Sequence, residues 1–469
     1  MGLHLNPSKS EVTVLGTSAT SDHENILAQI RQQVPDIVET PLNDLALLGS
    51  SLGDGALVES LARCSRKVQL ICQRVKLLDA HWDLFFLTRY ASAPRVSYVL
   101  RTSPAYVLPS ALSSIDATVR DALECSLNIA VTDTGWTQAS LPLRYGGLGV
   151  RSVTDLALPC YISSLNSALD LMRTINAEIE TDREPESLTG AVAVFREKIP
   201  GFEVPGGEAS KRQRAWDDTS SESRFGELLG AVNQVHRARL LAAKQPHSGA
   251  WLNAAPLPAL GLHLDDESVR VAAALRVGAP VCEPHACRCG QRVDRLGHHG
   301  LSCRYSAGRL PRHAHLNDVV KRALAAAGVP SWLEPIGLDR GDGRRPDGVT
   351  VFPYHRGKCL TWDATCVDTF STSSIVGSAV QPGSAALNAE ERKRGRYQAL
   401  ADRYIFQPVA VETTGVLGAS TLTFLRQLGK RITSQTGEKR ETAWLLERIS
   451  LAVVRGNSAA VISTERGTA

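Results

Sequence analysis

The 469-residue chain lacks any apolar run near the roughly 20 residues a membrane helix needs, which argues against an integral membrane protein. Its start, MGLHLNPSKSEV, has no apolar core behind a basic end, so no secretory signal is expected. Gly2 invites myristoylation, but Asn6 stands where that modification wants Ser or Thr. An excess of one charge is missing too. Against 52 Lys+Arg stand 48 Asp+Glu, and a formal net charge of +4 does not by itself argue for a nucleic-acid partner. The content of 43% hydrophobic and 21% charged residues is that of ordinary globular chains, which excludes a wholly disordered, collagen-like or coiled-coil protein. The length suggests two to four domains. There is no disulfide scaffold: of ten cysteines, four (Cys282, Cys287, Cys289, Cys303) share one short window and the rest are scattered. That pattern reads as a metal site in a reducing compartment, nuclear or cytoplasmic.

From about Leu47 to Ala177 the pattern is helical. Leu57, Leu61, Cys64, Val68, Ile71, Val75 and Leu78 alternate in steps of four and three, one apolar stripe on one helix. Arg63, Arg66, Lys67, Arg74 and Lys76 fall largely off the stripe and form either a solvated face or a phosphate-contacting one. Between Glu178 and Ser223 the chain is polar and rich in Gly, Pro and Ser, and reads as loops or a partly disordered linker. A shorter helical region ends with DDESVRVAAALRVG, where Asp266 is the expected cap and Gly278 the stop. No internal repeat is visible, and a frayed tail is expected beyond Asn457.

The stretch CEPHACRCGQRVDRLGHHGLSC offers zinc a tetrahedral set of soft ligands: Cys287, Cys289, Cys303 and one of His298 or His299. Gly290, Gly297 and Gly300 permit the sharp turns; Cys282 or His285 is a substitute for one member. Such an ion would staple a segment with too few large apolar residues to fold by itself.

Downstream, DGVTVF and KCLTWDATCV alternate and are rich in β-formers, with PYHRG between them, which predicts a hairpin. Its midpoint between Asp347 and Asp363 is His355. A symmetric turn there sets the two aspartates opposite each other, with Cβ atoms about 5 Å apart. Carboxylates that close need a cation, and oxygen ligands on strands suit Mg²⁺ or Mn²⁺. ALNAEERKRGRYQAL reads as a helix with Lys393 and Tyr397 at i and i+4 on one face. Local basic clusters, RYSAGRLPRH with Arg309 and Arg312, Arg345 before Asp347, and Arg392 and Arg394 beside Lys393, suit a phosphate partner.

RRPDG, WDAT, KRGRY and FQPVAVETTG, with the cysteine/histidine knuckle just upstream, resemble the restriction-like endonuclease of non-LTR retrotransposons, a branch of the PD-(D/E)XK nucleases. The resemblance implies an α-β-β-β-α-β core: a helix over Leu316 to Ala327, strands near Glu334, Val349 and Leu360, a helix around Lys393 and a strand at Pro408 to Glu412. It implies Asp347 and Asp363 as Mg²⁺-binding carboxylates. Thr365 stands where many relatives place lysine. The retrotransposon branch moves that lysine to the next helix, where Lys393 and the following Tyr397 match; Glu334 is the candidate upstream acid and Lys358 the alternative cation. The knuckle match favours His299. GLHLNPSKSEV resembles the stretch after a reverse transcriptase's catalytic Asp-Asp strand, with Lys9 at a lysine position of that family, and SLPLRYGGLGVRS its thumb and connector. The polymerase carboxylates have no counterpart in the N-terminal residues, so no polymerase activity is expected from this chain alone.

The expected layout is multidomain α and α/β: 1–45 a palm-edge remnant, 46–177 a helical thumb-like region, 178–225 a linker, 226–280 a helical connector, 281–305 the knuckle, 306–435 the nuclease domain and 436–469 a helix and tail. The implied function is a divalent-metal-dependent DNA endonuclease that nicks a target to prime reverse transcription, with target DNA and element RNA as partners. A catalytically inactive nucleic-acid-binding remnant and a plain interaction protein built on the helical region are the rivals.

Overall fold

A computed structural model describes residues 6, 10–16, 20–175, 184–201, 203–338 and 345–465. Gly2, Lys9 and residues 466–469 lie outside these. The described chain is mostly helical with small sheets, the coarse α and α/β layout expected. It forms two compact units, each gathered from separated stretches. The serial segments read from sequence therefore cut across the units, and residues 46–177 contribute to both. Composition marks polar stretches and says nothing about which distant stretches pack together.

The first unit comprises the described residues within Met1–Gln73, Arg89–Val119 and Arg151–Ser223. Helix α1 (Asp54–Val75) buries Leu57, Leu61, Cys64 and Val68 on the expected stripe, with Arg63, Arg66 and Lys67 exposed. Near its end Cys72 is buried in place of Ile71. That drift is natural, because a 3.6-residue turn outruns a strict four-three alternation. Helix α2 (Ala93–Thr102) packs on α3 (Val153–Ile175). Buried Asp116 holds the start of α3, accepting from Ser152 Oγ and Val153 N at 2.7 Å and Thr154 N at 3.2 Å, so its carboxylate satisfies amides no helical carbonyl can reach.

The linker reading of 178–225 is corrected: α4 (Glu186–Lys198) and α5 (Gln213–Gly230) lie in or overlap it. Its apolar residues are few but spaced for a helix. Leu188, Ala191, Phe195 and Ile199 face a core with Trp216, whose indole meets Phe195 edge-on at 5.0 Å. Polar average composition concealed a helical period.

The second unit comprises the described residues within Arg74–Thr88, Arg120–Val150 and Arg224–Ala469. Helices α6 (Gln234–Ala243) and α7 (Asp266–Val277) are closed at their C-termini by buried arginines. Arg276 donates to Ala243 O at 3.1 Å and to Gly147 O at 3.0 Å, and Arg239 donates to Arg276 O at 2.5 Å. The last carbonyls of a helix carry partial negative charge, and these guanidiniums compensate it. The cap of α7 is Asp265, bonded to Ser268 N at 2.8 Å, rather than Asp266, which accepts from Ala80 N. Gly278 ends the helix at φ +76°, as read from sequence.

A two-stranded ribbon, β1 (His285–Ala286) and β2 (Arg292–Val293), precedes helix α8 (Arg309–Ala326). Then come β3 (Ser331–Leu333), β4 (Gly348–Thr350), β5 (Leu360–Val367), α9 (Ser384–Arg396), β6 (Ile405–Glu412), α10 (Ala419–Thr436) and α11 (Glu441–Ile462). The sheet order is β6-β5-β4-β3, with β6 parallel to β5 and the other pairs antiparallel. One face of β5 sends Leu360, Trp362 and Ala364 into a core with Leu316, Val320 and Leu324 of α8, Phe424, Leu425 and Leu428 of α10, and Leu445, Ile449 and Val453 of α11. The frayed tail expected beyond Asn457 is absent through Ile462: α11 continues, and Asn457, Ala460 and Val461 are buried.

Two buried glutamates hold helix starts. Glu412 accepts from Ala385 N and Ala386 N at 3.1 and 3.2 Å. Glu390 accepts from Thr421 N at 2.8 Å and Ser420 N at 3.2 Å. They fix α9 and α10 against the sheet, and thereby the side chains α9 presents.

Candidate functional site

The hairpin carries the acidic pair, but its turn differs from the symmetric one expected. The reversal lies at Arg356 and Gly357, both at positive φ (+48° and +74°), with His355 bridged to Lys358. The surplus residues bulge at Val351–Pro353, where Thr350 Oγ1 bonds Phe352 O and Leu360 N and so stands in for a strand partner. The strand register survives: Gly348 faces Trp362 and Val349 faces Thr361, and one further step sets Asp347 against Asp363. Gly348 is needed there, because an added Cβ would lie 2.1 Å from the Trp362 indole.

Oxygens of Asp347 and Asp363 and a ring nitrogen of His313 lie within 4.8 Å of one another. His313 Nε2 is 3.0 Å from Asp347 Oδ2, which also accepts from Ala364 N at 2.6 Å. Asn317, one turn along α8, is held by Trp362 Nε1 at 2.9 Å and touches the His313 ring. Burial pushes the Asp347 acid up, but the His313 bond and charge and the Ala364 amide outweigh it and leave it below the ordinary carboxylate range. The same bond raises the His313 pKa. For Asp363, burial prevails over the attraction of Lys393, and its pKa is raised.

From α9, Lys393 Nζ reaches Asp363 Oδ1 at 2.7 Å with both side chains largely buried. Tyr397, at the end of that helix, is buried; its hydroxyl donates to Arg345 O at 2.9 Å and its ring packs on Phe406. It therefore anchors the backbone two residues before Asp347. Glu334 is not gathered into the cluster. Its amide bonds Asp347 O at 2.8 Å, but at φ +47° the chain leaves strand geometry and its exposed carboxylate pairs with Arg345. Lys358 donates to Ala401 O instead.

The knuckle is assembled by β1, β2 and a short helical turn, His298–Ser302. Cys287, Cys289, His299 and Cys303 place their ligand atoms within 4.8 Å of one another. Cys287 and Cys303 sulfurs are 3.7 Å apart, and Cys289 Sγ is 3.1 Å from His299 Nε2. Zinc–thiolate bonds of about 2.3 Å in a tetrahedron require sulfurs about 3.8 Å apart, so the donor set fits the ion. His298 instead stacks on Phe370 at 3.9 Å, and burial pushes its pKa down to about 4. Cys282 bonds Asp294 O and His285 bonds Thr464, so neither joins the set.

The basic residues divide. Arg309, Arg345, Arg392 and Arg394 are exposed. Arg312 is buried and bonds Asn457 Oδ1 at 2.6 Å and Leu301 O at 3.2 Å, so its expected contact with nucleic acid is corrected to a structural one. His313, adjacent in sequence, was not among the expected site residues. Its only sequence signal is the spacing that places His313 and Asn317 on the α8 face of Leu316, Val320 and Leu324.

Among the described residues no helix is long and apolar enough to cross a membrane. No family model and no curated protein matches the chain.

Proposed function

We propose that the chain is a divalent-metal-dependent endonuclease of restriction-like architecture, derived from a retroelement. The reading is carried by one observation: Asp347, Asp363 and His313 converge within the span of a single ion, with Lys393 on Asp363. Asp347 and Asp363 would hold Mg²⁺ or Mn²⁺, and the histidine nitrogen beside them adds affinity for Mn²⁺ over Mg²⁺. Such an ion supplies Lewis-acid polarisation of the phosphate and a more acidic water.

The chain's own groups do the rest. Asn317 and Asp347 fix the His313 ring. Tyr397 holds the Arg345 carbonyl and so the approach to Asp347. Lys393 keeps an ammonium where negative charge gathers on a cleaved phosphate, a role preorganised by its bond to Asp363. Exposed Arg309, Arg345, Arg392 and Arg394 would engage phosphates, and Zn²⁺ in the knuckle would fasten the segment ahead of α8. In a retroelement the nick would prime reverse transcription on element RNA, in the nucleus.

Supercoiled plasmid tests the reading. Nicking should require Mg²⁺ or Mn²⁺ and vanish in Asp347→Ala and Asp363→Ala. Equal nicking by wild type and both variants defeats it, and salt-sensitive binding with no cleavage by wild type identifies an inactive binding remnant.

A further inference from the structure

Among the described residues, the sheet face that carries the acidic pair is covered over only part of its width. On β5, Leu360, Trp362 and Ala364 point into the core, so Thr361 and Asp363 point to the other face. Helix α9 lies on that other face above β5 and β6, with Lys393 on Asp363 and Tyr397 on Phe406. Strand β4 continues the face with Val349, which is opposite Thr361, and β3 continues it with Trp332, which is opposite Val349. Trp332 thus stands on the acid-bearing face, two residues or roughly 7 Å along the strands from the row of Asp347 and Asp363. Trp332 is 66% exposed; Ile336, four residues on, is 95% exposed, and Phe352, in the bulge after β4, is 59% exposed. Two residues on from Trp332, Glu334 holds the guanidinium of Arg345.

A large indole kept in water beside a charged cluster gains nothing from the outside of a duplex, which presents phosphates and sugars. It gains from the face of a base that has left the stack. We propose that Trp332 is a stacking platform for an unpaired base next to the cleaved phosphate, so that the preferred substrate is nucleic acid with a single-stranded stretch at the cut. This rests on the nuclease reading. Arg345, exposed and paired with Glu334 through one guanidinium nitrogen, would turn its remaining N–H groups to the phosphate that sets the strand beside the indole.

The test compares affinities of the full chain for a short duplex and for the same duplex with a run of unpaired nucleotides, without added divalent ions so that nothing is cut. Wild type should favour the unpaired substrate. Trp332→Ala should lower the ratio of the two affinities by roughly 5- to 150-fold, and Trp332→Phe should keep most of it. An unchanged ratio in Trp332→Ala overturns the proposal. So does sedimentation in which that variant dissociates a dimer, since the exposed edge strand β3 would then be pairing with a second copy. A chain that keeps the ratio but never cleaves with Mg²⁺ or Mn²⁺ refutes the nuclease reading alone.

Discussion

The knuckle and the acidic cluster lie in the same unit and are built in opposite ways. Every knuckle donor comes from 17 consecutive residues, Cys287 to Cys303, on tight turns of their own. The acidic cluster draws His313 from α8, Asp347 and Asp363 from the hairpin and Lys393 from α9, and its geometry depends on the whole core beneath them. A local ion site can fold its own segment, whereas a dispersed one must be held in place by a fold that is stable without it. The first should show its loss in stability, the second in chemistry.

The sharpest break in that comparison is Asp363→Ala. Metal-dependent nicking should fall by at least about 10²–10³-fold, the scale of removing one preorganised electrostatic group, while the melting temperature moves by only a few degrees. Collapse of the fold together with activity would mean that the acidic site is structural. Cys303→Ser should do the converse. It should lose zinc by metal analysis and destabilise the second unit by on the order of 3 kcal/mol, because ligand binding there is folding free energy. Zinc below about half an equivalent in wild type, with melting unchanged in the variant, removes the knuckle from the account.

What the sequence disclosed follows the same division. The four knuckle residues were legible because they are sequence neighbours; the spacing alone left His298 and His299 open, the resemblance favoured His299, and the stacking of His298 on Phe370 agrees. The acidic pair was legible through strand alternation. The register put Asp347 against Asp363 even though the turn lies at Arg356–Gly357 and the hairpin bulges at Val351–Pro353. From α8 through β6 the elements run helix, three strands, helix and strand, with a short helix at Ile375–Ser378 inserted before α9. His313 escaped because a histidine on a helix gives no local sign of the hairpin it will meet. Glu334 misled because its positive φ, which turns the carboxylate outward, leaves no trace in its neighbours. Discontinuous units cannot be read from composition at all.

Arg312 and Arg309 sharpen the comparison at the level of single charges three residues apart. Arg312→Ala should cost about 2–3 kcal/mol in a denaturation midpoint, since it orphans Asn457 Oδ1 and Leu301 O in the interior. Arg309→Ala should leave stability within about 0.5 kcal/mol and lower the salt slope of DNA binding by about one. Identical behaviour of the two variants would erase the distinction between buried clamp and phosphate contact.

The smallest expected effect concerns a carboxylate in this unit that lies outside both clusters. Asp83 is buried with, among the described residues, no hydrogen bond of normal geometry to either oxygen, and burial, only partly offset by Ser126 and Lys76, pushes its pKa up to about 6. Asp347, half-buried and bonded to His313 and Ala364, moves the other way. The sign for Asp83 follows from linkage. Below about pH 4 it is protonated folded or unfolded and imposes no penalty. As pH rises from about 4 to 6 the unfolded chain releases its proton first, so the folded state loses stability, and above about 6 the penalty is complete. Asp83→Asn should therefore stabilise the protein by about 1–2 kcal/mol at pH 7, less than the full shift because the amide brings donors of its own, and by nearly nothing at pH 4. A stability difference between variant and wild type that stays constant from pH 4 to 7 would show that the carboxylate finds a partner in solution, and that enclosure without one is not what separates Asp83 from Asp347.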